Sequence, residues 1–81
     1  MIKIDKEEEL INHKWKTELC SSQGDKCWCK PICAEENIVW RKEPDFEAYI
    51  AAEGTINKYL AEHIVKLHNE WLAQKKENDG E

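Results

Sequence analysis

Four cysteines, Cys20, Cys27, Cys29 and Cys33, fall close together in a Cys-x6-Cys-x-Cys-x3-Cys pattern. Thiolates are soft ligands, and a structural zinc ion takes four such donors at about 2.3 Å. Paired Cys-x2-Cys knuckles, the strong signature of such a site, do not occur in this chain. Three uses of the cluster therefore stand open. All four cysteines could bind zinc. Cys20 and Cys27 could form a redox pair, their thiols acidified by Lys26 and Lys30. Or the four could be small, semi-buried, unreactive thiols. The expected state is reduced thiols with no cofactor, with zinc as the alternative.

The other chemistry-bearing residues are fewer. His63 and His68 lie five positions apart. On a helix that turns their rings about 140° from one another, so they cannot chelate one ion from one face. His68, followed by Asn69, falls within an apolar stripe. It reads either as a core-edge histidine bonded to a sheet backbone group or, with Asn69, as a binding site at a helix–sheet seam. Of the four tryptophans, Trp15, Trp28 and Trp71 fall on predicted core faces, and Trp40 is the candidate binding anchor. No G-x-G-x-x-G, G-x-x-x-x-G-K-[ST] or G-x-S-x-G motif is present, which leaves no enzyme signature and no candidate catalytic residue.

Positioning these residues falls to a few short elements. Ile11, His13, Trp15, Thr17 and Leu19 alternate with polar residues, which predicts a half-buried strand over 11–20. Ser21 to Lys26 is a polar turn, and Cys27 to Ile32 is the returning strand. Pairing Cys20 with Cys27 places Trp15, Leu19, Trp28 and Ile32 on one face. It leaves Cys20, Cys27 and Cys29 together on the other. Cys33 would then stand about 13 Å beyond Cys29 along a straight strand, unless Pro31 breaks the ladder and turns the chain back. His13 falls on the apolar face and is a poor substitute ligand.

Ile38-Val39-Trp40 reads as a short strand and Glu43-Pro44-Asp45 as a turn. Residues 46–52 read as a strand, with a helix ended by Gly54 as the rival. Residues 57–76 form the strongest element, a helix capped by Asn57 or Thr55. Leu60, Ile64, Leu67 and Trp71 form one apolar row, and Ala61, Val65, His68 and Leu72 form the next. The first row is expected to pack on Trp15, Leu19, Trp28 and Ile50. Residues 1–10, with Asp5 and Glu8 as a short capping signature, read as a turn of helix or a loose arm, and 77–81 as a frayed tail. The fold class is α+β: a small antiparallel sheet of three or four strands with one long C-terminal helix packed on one face, in a single domain spanning 1–81.

Composition limits the function classes. The chain has 81 residues, and 12 Lys and Arg stand against 17 Asp and Glu for a net charge of −5. That balance disfavours nucleic acid, whose binders need a basic face. Lys14, Lys16, Lys26 and Lys30 are the one local basic group. No apolar run is long enough to span a membrane. The N-terminal stretch lacks an apolar h-region, so a cytoplasmic, reducing setting is expected.

His13-Lys14-Trp15, leading through Cys20 to Cys27-Trp28-Cys29-Lys30-Pro31-Ile32, resembles a pattern in small uncharacterised proteins of phages, prophages and bacteria. Tyr49-Ile50-Ala51 through Gly54, and then Leu60 to Asn69 ending in "IV-x-x-HN", resembles the same group. The likeness covers residues 13–69, and Cys33 falls outside its pattern. It implies an accessory protein and favours the strand reading of 46–52. The expected function is a non-enzymatic accessory or interaction domain that binds a protein partner as a monomer or weak dimer. The alternative is a zinc-stabilised or thiol-bearing domain.

Overall fold

The structure, a computed structural model, describes residues 1–79, with side chains through Lys75. In chain order the elements are β1 (Ile2–Ile4), a 3-10 helix (Glu7–Asn12), β2 (Trp15–Thr17), β3 (Ile32–Ala34), β4 (Ile38–Trp40), β5 (Tyr49–Ala51) and α1 (Lys58–Asp79). The class is α+β with one long C-terminal helix, as the pattern predicts. The strands fall into two groups. β2, β3 and β5 form an antiparallel sheet with β3 in the centre, and β1 pairs with β4 in parallel. A single bridge, Val39 with Glu47, connects the β4 region to the segment before β5.

The main core lies where the parallel pair meets the sheet. Ile4, Leu10, Ala34, Ile38 and Ala48 are buried together, with Ile2, Trp40 and Ile50 packed around them. The N-terminal segment, read as a turn of helix or a loose arm, is thus not loose: it is part of the core and carries a helical turn. Its 3-10 helix is held by Glu9, whose carboxylate accepts the N–H groups of Asp5 at 2.8 Å and Lys6 at 3.0 Å. These bonds hold the Glu9 pKa below its ordinary value, because hydrogen bonds to the charged form favour it. The acidic partner in the cap is one residue later than Glu8, the residue read from the pattern.

Strand β5 occupies only Tyr49–Ala51 of the expected 46–52 strand, and no helix forms there. Pro44 occupies the second position of a turn closed by Phe46 N–H donating to Glu43 O. The pairing of β2 with β3 runs Trp15 to Ala34, Lys16 to Cys33 and Thr17 to Ile32. This is two residues away from the expected register, in which Trp15 faced Ile32. A shift of two preserves the alternation within β2 and β3, but the expected returning strand over Cys27 to Ile32 does not form. β3 begins at Ile32, Cys27 and Trp28 lie in a bend, and Leu19 and Trp28 are exposed rather than on a buried face. The strand is also shorter than 11–20. Residues up to Asn12 belong to the 3-10 helix, and Cys20 lies in a separate turn.

Helix α1 begins at the Asn57 side chain, whose Oδ1 accepts the Tyr59 N–H at 2.8 Å. It runs through Asp79. Residues 77–79 of the expected tail are therefore helical, and 80–81 lie outside the described residues. The inward row is Ala61, Val65, His68 and Leu72, with Ala61 and Leu72 fully buried. The row expected to pack inward, Leu60, Ile64, Leu67 and Trp71, is exposed, as are its intended partners Leu19 and Trp28. The reason is placement. The helix lies chiefly along β2, an edge strand, so only one flank of its broad stripe meets protein.

Candidate metal centre

Cys20, Cys27 and Cys29 converge. Their Sγ atoms lie within 4.8 Å of one another, and all three residues are buried. They form a second core cluster composed of cysteines alone. The expected convergence of these three therefore occurs, but turns and bridges produce it rather than a long hairpin. Cys20 opens a turn in which the Gly24 N–H donates to the Cys20 carbonyl at 2.8 Å. Gly24 adopts a φ of 60°, a conformation that a residue without Cβ takes at no steric cost. Cys29 bridges to Asn57 at the start of the helix, and the Lys58 N–H donates to the Trp28 carbonyl at 2.8 Å.

Further bonds fix the loop around the thiols. Glu53 accepts the Ser21 N–H at 2.9 Å and the Ser21 hydroxyl at 2.8 Å. Lys30 Nζ sits 2.6 Å from a Glu62 oxygen on α1. Within the cluster, the Sγ atoms of Cys27 and Cys29 are 3.3 Å apart. The Gly54 N–H donates to Cys29 Sγ at 3.3 Å, and the Ser22 hydroxyl lies 3.3 Å from Cys20 Sγ. The Ser22 hydroxyl, and then the N–H groups of Ser22 and Gln23, lower the Cys20 pKa from 9.0 to about 7. Cys29 is raised, first by its hydrogen bond with Cys27. One thiol of the three is thereby poised to ionise while a neighbour holds its proton.

Cys33 is separate. It is fully buried in the central strand β3 and groups instead with Glu18 and Glu47. Burial, and then the hydrogen bond with Glu18, push its pKa up to about 12. It stays a protonated thiol beside carboxylates. Pro31 does not fold it back toward the other three, because β3 continues the chain as a paired strand. Burial and Glu47 raise the Tyr49 pKa next to this group.

The remaining candidate residues have defined places. His68 stacks on Trp15 with ring centroids 3.5 Å apart and planes 8° from parallel. Its Nε2 lies 2.9 Å from the His13 carbonyl. Asn69 bonds the Trp15 backbone in both directions. The helix–sheet seam thus brings His68 and Asn69 together, with their polar atoms engaged by the backbone of His13 and Trp15. Trp40 is half-buried and lines a shallow cavity of about 210 Å³ with Ile4, Asp5 and Arg41. His13 Nδ1 lies 3.7 Å from a Glu36 oxygen, away from the thiols. Of the local basic group, Lys16 pairs with Glu18 and Lys30 with Glu62.

The sequence reading missed the N–H donors to sulfur at Gly54 and in the Cys20 turn, as well as the Glu18 and Glu47 neighbours of Cys33. The run Ser21 to Gly24 after Cys20 was the available signal for the first, since a tight turn ending in Gly directs successive N–H groups back at the residue that opens it. No helix among the described residues is long and apolar enough to cross a membrane. No family model matches the chain, and no curated protein or solved structure matches it either.

Proposed function

We propose that this protein is a small zinc-stabilised, non-enzymatic domain whose metal ligands are Cys20, Cys27 and Cys29. The observation that carries this reading is the convergence of three buried Sγ atoms within 4.8 Å. Zinc at about 2.3 Å from each sulfur requires thiolates roughly 3.8 Å apart, a spacing within that limit. The hydroxyl and N–H donors around Cys20 support the same reading, because they stabilise the thiolate form that a metal needs. No fourth Cys, His, Asp or Glu joins the three among the described residues. One coordination position is therefore left for a solvent-derived or exogenous donor.

A metal here would act on folding. The segment around residues 20–29 has no apolar core beyond the cysteines themselves, and its Leu19 and Trp28 side chains face outward. Binding energy at the thiolates would hold this loop against the start of α1. An accessory role in binding a protein partner is favoured by the same exposed Leu19 and Trp28, which the ordered loop would present. Such a role also accords with the resemblance to small phage and prophage proteins. A reducing, cytoplasmic compartment would keep the thiols available.

The test is native mass spectrometry on protein refolded with zinc, followed by melting with and without a chelator. The expected result is one zinc per chain, and a melting temperature lowered by at least about 5 °C on chelation. Protein that retains no zinc, shows no thiolate-to-metal charge-transfer band with cobalt and melts unchanged in chelator would overturn the reading.

A further inference from the structure

Leu60, Ile64, Leu67 and Trp71 stand 58%, 38%, 51% and 45% exposed on α1. The fold makes little use of this row, since β2 is met by the neighbouring row of Ala61, Val65, His68 and Leu72. Only Trp71 is engaged, its ring tilted against His68 at 5.8 Å and with Lys75 Nζ 5.2 Å from its centroid. The intervals along the exposed row are four, three and four residues. That is the a/d spacing of a heptad seam, the pattern by which one helix packs against another. We propose that this ridge is the interface for a second copy of the chain.

Three features point to a second copy rather than to an unlike partner. The first is self-complementarity. The intervals read the same in both directions, so a two-fold axis between Val65 and Lys66 lays the ridge upon itself. Leu60 then meets the partner's Trp71, and Ile64 meets the partner's Leu67. Such a contact is isologous and closes at two copies. The antiparallel arrangement also keeps the layers similar in volume, whereas a parallel one would crowd two tryptophans into one layer.

The second feature is charge. On the open flank of the ridge stand His63 and Glu70, both exposed. The same two-fold axis brings Glu70 near the partner's His63 rather than near a like charge, so this flank carries no repulsion against pairing.

The third feature is area. At these exposures the four side chains offer on the order of 400 Å² per protomer, with Tyr59 at the rim adding to it. The total across two copies, roughly 1,000 Å², is at the low end for a specific contact and below the roughly 1,600 Å² of a standard one. The association is therefore weak and reversible, with a dissociation constant of roughly tens to hundreds of micromolar. It does not depend on the metal reading, because no ridge residue belongs to the cysteine centre.

Sedimentation velocity on the full chain in zinc-containing reducing buffer, from about 2 to 500 µM, tests the proposal. The weight-average mass should rise from 9.6 kDa toward twice that value along a single monomer–dimer isotherm. Leu67→Asp should weaken association at least about tenfold while circular dichroism and melting stay close to the parent, because Leu67 is half exposed. Ile64→Lys provides the same readout from the adjoining position. A sample that remains monomeric across the whole range overturns the proposal and leaves the ridge to an unlike partner. Undiminished association in both folded variants overturns it as well.

Discussion

The side-chain amide of Asn69 acts as a strand partner for Trp15: its Oδ1 accepts the Trp15 N–H at 2.9 Å, and its Nδ2 donates to the Trp15 carbonyl at 3.0 Å. β2 is an edge strand, and an unpaired edge invites pairing with another chain. The amide completes the backbone bonds of Trp15 from the helix, one turn from where Leu72 buries itself. His68 adds the stacked Trp15 ring and its bond with the His13 carbonyl. Two adjacent helix residues thereby fix the seam between helix and sheet.

Replacing Asn69 should therefore cost stability. Asn69→Ala removes two part-buried hydrogen bonds, and the expected loss is about 1–3 kcal/mol in urea unfolding. Asn69→Asp should be at least as harmful, since a carboxylate oxygen would replace the donor facing the Trp15 carbonyl. An Asp variant more stable than the Ala variant would contradict the two-way bond.

The two rows of α1 should respond unequally to substitution. Leu72→Ala empties a buried position and should cost about 2–5 kcal/mol. Ala61→Leu forces extra volume into a position with no exposed surface and should cost about 1–3 kcal/mol. Leu60→Ala removes a mostly exposed side chain and should change stability by less than about 1 kcal/mol. Thermal or urea unfolding of the three variants separates the rows, and equal losses at Leu60 and Leu72 would contradict the observed helix orientation.

This reversal shows where sequence legibility ended. The apolar stripe on residues 57–76 spans two rows, and periodicity alone gives both the same status. Which row is buried depends on whether the helix lies across the sheet or beside an edge strand, and nothing local encodes that choice. The N-terminal strand was hidden for a related reason. Ile2 and Ile4 alternate over only three residues, and their parallel partner lies at Ile38 to Trp40, far along the chain. By contrast, parity along residues 15–33 carried more than register did. The two-residue shift changed every pair but kept Lys16 and Cys33 on one face. The grouping of Cys20, Cys27 and Cys29, with Cys33 beyond Pro31, was expected from alternation along a hairpin, but no strand runs through residues 20–29, and the turn at Gly24 and the bridge at Asn57 do the positioning.

Thiol reactivity in metal-free protein should follow the environments of the cysteines. Cys20, with its pKa lowered to about 7, should react first with iodoacetamide at pH 7.5, and Cys33, raised to about 12 and fully buried, should react only on unfolding. The signs for stability are opposite. A depressed pKa means the Cys20 contribution is present above the unfolded value near 9 and is lost as pH falls through about 7. A raised pKa means the Cys33 contribution is present below 9 and is lost as pH rises toward 12. Peptide mapping of alkylated protein at several pH values checks the order, and preferential labelling of Cys33 in the folded state would refute it.

Zinc binding should distinguish the four cysteines by single substitution. Cys27→Ser and Cys29→Ser each replace a thiolate in the converging group with a much weaker donor, and each should lower zinc affinity by more than about a hundredfold. Cys33→Ser should leave one zinc per chain and an affinity close to the parent, because Cys33 belongs with Glu18 and Glu47 in the central strand and not with the other three. A serine hydroxyl there can still donate to Glu18, so the fold should tolerate the change. Competition with a chromophoric chelator gives all the affinities on one scale. If Cys33→Ser abolished binding as fully as Cys27→Ser, the metal would need Cys33 as a ligand, and β3 would have to leave its pairing with β2 and β5 to supply it.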